Sequence, residues 1–166
     1  QIFAMVKDYS VNKVSNIVKG GCTRQESVFN AVRCCMTESD YIAIHDGARP
    51  LVDRETIEKT IFAAFDFNAA APGIPVKDTI KTVSDEGIVT STPARDSLRA
   101  IQTPQVLSAM QGVPNSELFT DDCGLIEAYG KLVKIVDGDN TNIKITTPED
   151  LIIAEAIINK GEKDEL

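Results

Sequence analysis

The chain has 166 residues, 43% of them hydrophobic, which is enough for one domain with a core and too apolar for a disordered segment. Its net charge of −8 excludes a general nucleic-acid binder, because that binding runs on Lys and Arg meeting phosphates. Four cysteines without Cys-x-x-Cys spacing and a single histidine exclude a zinc site, and no apolar stretch is long enough to span a membrane.

Residues 1–9 read as the end of a helix, and residues 14–18 as a strand. Gly20-Gly21 breaks that pattern, and a helix is expected from Gln25 to Met36, with Val28, Phe29, Val32, Cys35 and Met36 at helical spacing. A short apolar strand follows at 41–44, closed by His-Asp-Gly-Ala-Arg-Pro at 45–50. Asp53 is placed to cap a helix running from Arg54 to about Phe67. Residues 69–76 form another apolar strand. Residues 79–83 and 88–92 alternate polar and β-branched side chains around Ser-Asp-Glu-Gly, the pattern of a β-hairpin. A lone hairpin is marginal in water, so it is expected to pack on something else, such as a second subunit.

Residues 94–105 read as a connector ending in Thr-Pro-Gln. Thr120 is expected to cap a helix ending near Gly130, and strands are expected at 132–136 and 142–146. Thr147-Pro-Glu-Asp150 is a strong helix start, with Gly161 expected beyond that helix's end. Helices and strands alternate at both ends of the chain, with the hairpin between. The fold class expected is α/β: a three-layer, Rossmann-like mixed sheet carrying a protruding β-arm over residues 77–100 of a single domain, 1–166.

The chemistry is concentrated at loops. In open α/β sheets ligands bind outside the carboxyl ends of strands, where 45–50 should lie. Asp46 there is open between two readings, an oxygen ligand for Mg²⁺ and a structural ion pair; Arg49 leans towards pairing with Asp46 or Asp53. His45, a lone imidazole beside a strand, reads as a satisfied structural residue rather than a base. Gly20, Gly21 and Ser27 read as an ordinary turn before a helix, with an anion or base site as the sharper option. Lys77, Lys81, Thr79 and Arg95 on the arm are either solubilising or suited to a phosphate. Lys144 reads first as an edge-strand residue and second as a phosphate contact.

Taken in order, Gly-Gly-x-x-Arg-Gln-x-Ser-Val (20–28), His-Asp-Gly-Ala-Arg-Pro (45–50), Pro-Val-Lys-Asp-Thr-Ile-Lys (75–81), Thr-Pro-Gln (103–105), Thr120-Asp-Asp122 and Asn-Ile-Lys-Ile-Thr-Thr-Pro-Glu-Asp (142–150) resemble the 2-C-methyl-D-erythritol 4-phosphate cytidylyltransferase family over nearly the whole chain. The resemblance implies transfer of a cytidylyl group from CTP to a sugar-alcohol phosphate, with release of pyrophosphate, in non-mevalonate isoprenoid biosynthesis. It implies Mg²⁺ or another divalent cation, a homodimer clasped by the β-arm, and a cytoplasmic setting that the unpaired thiols also suit. It assigns Gly20, Gly21 and Ser27 to the base and ribose, and Asp46 to ribose and metal, with Arg49 bracing the loop. Thr79 and Arg95 would grip the substrate phosphate in the partner's site, Thr120 a substrate hydroxyl, and Lys144 the phosphate oxygens of the reaction. Cys22 departs from the polar residue common at its position. The family's opening glycine-rich segment, Gly-x-Gly-x-Arg-Met followed by Pro-Lys-Gln, does not occur in residues 1–166, so the resemblance implies an N-terminal part missing and little activity for these residues alone. The rival readings are a ribitol 5-phosphate cytidylyltransferase and a truncated, non-catalytic dimerising relative. The last four residues, Lys163-Asp-Glu-Leu166, spell an ER-retention address but are expected to be only a charged tail.

Overall fold

A computed structural model describes residues 1–35, 39–109, 122–128 and 130–164. Helix α1 (Ile2–Asp8) opens the described chain. Residues 14–18 were expected as a strand but form none: a strand exists only through a ladder with a neighbour, and no described strand pairs with them. Helix α2 (Arg24–Cys35) follows, and Met36 lies outside the described residues. Its start is fixed reciprocally, as in a capping box. Thr23 Oγ1 accepts the Glu26 N–H at 3.1 Å, and the Glu26 carboxylate accepts the Cys22 N–H at 2.6 Å.

Strand β1 (Tyr41–Ile44) leads through the 45–50 loop into α3 (Arg54–Phe67). Asp53 caps α3 as expected, accepting the Thr56 N–H at 2.6 Å and its hydroxyl at 2.8 Å. Burial pushes the Asp53 carboxyl up, but the Thr56 hydrogen bonds and the Lys59 charge outweigh it and hold the group below its ordinary value of 3.8. A carboxyl lowered on folding stabilises above its unfolded value and loses that contribution as pH falls through the folded one. Asp53→Ala is therefore expected to cost about 1 kcal/mol near neutrality. The gap to wild type should close as urea denaturation is repeated below about pH 4. A gap that does not change with pH would place the cost elsewhere.

Strand β2 (Ala69–Pro75) is the centre of the sheet. A separate two-stranded sheet pairs β3 (Thr82–Val83) with β4 (Val89–Ser91), turned at Gly87, whose φ is +79°. That left-handed backbone is one glycine adopts freely. The stretch at 94–105 is more than a connector. It carries a single 3-10 turn (Arg95–Ser97), strand β5 (Arg99–Ile101) and the first residue of β6 (Gln105–Ser108). Both strands are too short to show a period of two.

Ala69 and Ala70 pair with Leu107 and Val106 of β6, and Gly73 to Pro75 pair with Ile101 to Arg99 of β5, so β5 and β6 share one edge of β2. Strand β7 (Lys134–Asp137) runs parallel along the other edge, and β1 joins outside β6. The expected strand at 132–136 is thus β7, two residues later. Alternation along β2 makes the layers. Ala69 and Ala71 face Cys123 and Ile126 of helix α4 (Asp122–Ala128), while Ala70 and Val106 face Ala64 of α3. The small side chains let both helices approach closely. Gly130, with φ +68°, ends the α4 turn near its expected position.

Residues 142–146 were expected as a strand but pair with no described strand. Their hydrogen bonds go instead to the 45–49 loop, to the buried Gln102 side chain and to the Thr103 carbonyl. Helix α5 (Pro148–Asp164) starts at the expected cap: Asp150 Oδ2 accepts the N–H groups of Thr146 and Thr147, both at 2.8 Å. It runs through Gly161 rather than stopping before it, since an exposed glycine near a helix end costs only about 1 kcal/mol. No described helix is long and apolar enough to cross a membrane.

Candidate active site

The 45–49 segment leaves the carboxyl end of β1 and closes on itself, with the Arg49 N–H donating to the Asp46 carbonyl at 3.0 Å. Residues 142–146 lie against it, because the Ile145 N–H donates to the Ala48 carbonyl at 2.8 Å. That single backbone bond carries Lys144 to the loop. The Lys144 ammonium stands 3.1 Å from Asp46 Oδ2, and Arg49 Nε 3.4 Å from the same oxygen. From the start of α2, Arg24 comes within 3.9 Å of Asp46 Oδ1 while forking onto both oxygens of Asp122, at 3.0 and 2.7 Å.

Among the described residues, three cationic side chains thus face two carboxylates, leaving one positive charge in excess. Partial burial drives the Asp46 carboxyl up. The Lys144 hydrogen bond, then the charges of Lys144, Arg24 and Arg49, outweigh burial and hold it below its ordinary value. Asp46 is therefore an ionised oxygen donor at neutral pH. Among the described residues no group of three His, Cys, Asp or Glu side chains could hold a metal by itself. One carboxylate fits Mg²⁺ all the same, since that ion is commonly bound through one or two carboxylates, with substrate phosphates and water completing its shell.

The loop before α2 is exposed but tied down by its own hydrogen bonds. Ser27 Oγ accepts the Gly21 N–H at 3.0 Å and donates to the Thr23 carbonyl at 2.9 Å. A side chain at Gly21 would run into Glu26, so this position needs glycine for close approach. Thr79 and Arg95 flank the β3–β4 sheet in sequence and are exposed, with Arg95 Nη1 donating to the Lys77 carbonyl at 3.1 Å. No contact in the described chain joins either to the Asp46 cluster. Thr120 lies outside the described residues. The structure therefore brings together Asp46, Arg49 and Lys144, sets Gly20, Gly21 and Ser27 beside Arg24 at the head of α2, and leaves Thr79 and Arg95 apart within one chain.

Several participants were not singled out from sequence as site residues. Arg24 and Asp122 are 98 positions apart and give no local sign of pairing. Both fall inside motifs of the resemblance, which was the available signal. The others are the buried Gln102, Thr103 and Asn142, with 4%, 4% and 0% of their surface exposed. Gln102 Nε2 donates to the carbonyls of Asp139, at 2.7 Å, and Asn142, at 3.3 Å, anchoring the 139–142 turn under the site.

A profile of the 2-C-methyl-D-erythritol 4-phosphate cytidylyltransferase family matches residues 2–160. The enzyme of that name from Caldanaerobacter subterraneus subsp. tengcongensis is 47% identical over 156 residues, spanning 90% of this chain and 69% of the relative. That from Desulforamulus reducens is 44% identical over 163 residues, spanning 94% and 70%. The crystal structure of 4-diphosphocytidyl-2C-methyl-D-erythritol synthase from Anaerococcus prevotii superposes with a TM-score of 0.82 at 34% identity, over 95% of this chain and 77% of that one. The fold, the ordered motifs and these likenesses agree: the chain belongs to the 2-C-methyl-D-erythritol 4-phosphate cytidylyltransferase family.

Proposed function

We propose that this protein transfers a cytidylyl group from CTP to 2-C-methyl-D-erythritol 4-phosphate, giving the CDP-alcohol and pyrophosphate. The observation that carries the reading is the seating of Lys144 on Asp46 within a cluster of excess positive charge. A phosphate oxygen of the alcohol attacks the α-phosphorus of CTP, a new P–O bond forms, and the bond to the β-phosphate oxygen breaks. Such a step asks the protein for positioning and charge neutralisation rather than covalent help. Lys144 holds the phosphate oxygens, Asp46 takes the ribose and a divalent cation, and Arg49 keeps Asp46 aimed. The cation, when bound, offsets the charge of the phosphates. Gly20, Gly21 and Ser27 shape the edge that receives the nucleotide. Thr79 and Arg95, remote from Asp46 in their own chain, reach the substrate phosphate in a second copy's site through the arm. Thr120 supplies a hydroxyl contact. The free thiols of Cys22, Cys34, Cys35 and Cys123 support a reducing, cytoplasmic setting.

The test is turnover by the whole protein with CTP, Mg²⁺ and either methylerythritol phosphate or ribitol 5-phosphate, read as pyrophosphate release and product mass. Strong preference for methylerythritol phosphate is expected. Preference for ribitol 5-phosphate would overturn the substrate assignment, and no release with either would overturn the reaction.

A further inference from the structure

His45 has no part in the chemistry above, yet both of its ring nitrogens are engaged. Nδ1 lies 2.9 Å from Thr103 Oγ1, and Nε2 lies 3.0 Å from the Arg49 carbonyl. The Arg49 guanidinium donates through Nη1 to the Asn142 carbonyl at 2.7 Å. Asn142 in turn donates through Nδ2 to the Thr103 carbonyl at 3.0 Å. These four residues form a closed circuit: His45 to Thr103, Thr103 to Asn142, Asn142 to Arg49, and Arg49 back to His45. It joins three segments far apart in sequence, the loop after β1, the link between β5 and β6, and the stretch before α5.

The circuit encloses Asp46. The Asp46 N–H donates to Thr103 Oγ1 at 3.1 Å, its carbonyl accepts the Arg49 N–H, and its carboxylate accepts Arg49 Nε. Lys144 is two residues beyond Asn142. The circuit therefore fixes, from both sides, the separation between the Asp46 carboxylate and the Lys144 backbone.

Donor and acceptor bookkeeping assigns every proton. A backbone carbonyl only accepts, so His45 Nε2 must carry the hydrogen given to Arg49. In the neutral ring Nδ1 is then the acceptor, and the Thr103 hydroxyl donates to it. The same hydroxyl keeps a lone pair for the Asp46 N–H. The Asn142 amide is fixed too, since its neighbours Thr103 O and Gln102 Oε1 are both acceptors that need the NH₂ end. That orientation leaves Asn142 Oδ1 buried without a partner among the described residues. A fold keeps such an orphan only where the rest of the arrangement compensates for it.

We infer that His45, as its Nε2–H tautomer, and Thr103 are positioning residues that hold Asp46 and Lys144 at their working separation. The inference rests on the proposed reaction for its kinetic consequences, while the tautomer is a property of the circuit alone. The experiment is nitrogen NMR of the ring-labelled whole protein, with His45→Gln identifying the signal, together with kinetics of Thr103→Val and Thr103→Ser. Wild type should show a protonated Nε2 and an unprotonated Nδ1. Thr103→Val removes the donor to Nδ1 while the Arg49 carbonyl still holds the Nε2 proton, so the Nδ1 signal should shift with the tautomer retained, and kcat should fall roughly 10- to 100-fold with KM for CTP little changed. Thr103→Ser keeps the hydroxyl and should restore both. An Nδ1–H tautomer in wild type would overturn the inference. So would an unchanged kcat in Thr103→Val, or an equal loss in Thr103→Ser. Should Thr103→Val not fold, His45→Asn carries the same test, because its shorter amide cannot reach both Thr103 and the Arg49 carbonyl: the same kcat loss supports the circuit and a wild-type kcat overturns it. If the protein released no pyrophosphate at all, the proposed reaction would fail while the tautomer still judged the circuit.

Discussion

Lys144→Gln is expected to lower kcat about 10²- to 10³-fold in the whole protein while moving Tm by no more than a few degrees. The two effects separate because the two jobs of Lys144 differ in strength. As a partner of Asp46 it is replaceable. Its side chain is 45% exposed, pairs of that kind contribute at most about 1 kcal/mol, and Arg49 and Arg24 remain beside Asp46. A change of that size shifts Tm by about 2–4 °C in a chain of this length. As a fixed cation next to charge that builds on phosphate oxygens, it has no substitute at that position, and loss of one preorganised charge-stabilising group typically costs on the order of 10²- to 10³-fold. Lys144→Arg should recover only part of the loss, because a planar fork does not present its charge where a compact ammonium does. Steady-state kinetics beside thermal unfolding decides the matter. A Gln variant with near-normal kcat would remove Lys144 from the reaction, and a large fall in Tm would make it structural.

Lys144 also shows where sequence runs out. Its neighbours Asn142, Ile143, Ile145 and Thr146 alternate as a strand does, and a lysine in a strand reads as a solvent-facing edge residue. The backbone instead crosses to the 45–49 loop, a choice made by Ala48 and Asn142 partners that no local pattern reports. Residues 14–18 carry strand propensity as well, but propensity without a described neighbouring strand gives extended chain only. By contrast, α3 was legible to the residue at its start, because a capping aspartate and a helical period act within a few positions. So was α5, where Thr147, Pro148 and Asp150 all specify one end. The Asp46 loop was legible as a site because Gly and Pro close an apolar strand there. The circuit around it was not, since hydrogen bonds between positions 45, 103 and 142 depend on the sheet order. Strands β5 and β6 share an edge of β2, which brings Thr103 under the loop, and nothing in a three-residue strand announces that.

The Arg24–Asp122 pair yields the sharpest separation of stability from activity. Asp122 keeps only 7% of its side-chain surface exposed, so removing its bidentate partner leaves a nearly buried carboxylate uncompensated. Fully buried pairs broken in this way cost about 3–5 kcal/mol; with Arg24 itself 38% exposed, water would make up part of the loss, and Arg24→Ala is expected to cost about 1–2 kcal/mol. The reversed pair, Arg24→Glu with Asp122→Arg, restores the attraction between the heads of α2 and α4. Recovery should be incomplete, since an arginine at the first position of α4 opposes the helix dipole there while a glutamate at the start of α2 agrees with it. Activity should not return with stability. Arg24 also lies 3.9 Å from Asp46 Oδ1, and the swap puts a carboxylate where a guanidinium helped keep Asp46 ionised and the site positive. Two carboxylates would then share that space, and the positive charge, unchanged in total, would be moved away from Asp46. Urea denaturation should show at least half of the lost stability regained in the double variant, and turnover should stay as low as in Arg24→Ala. Recovery of both quantities would make Arg24 a strut for α4 and nothing more, while recovery of neither would mean that this ion pair does not join the two helices.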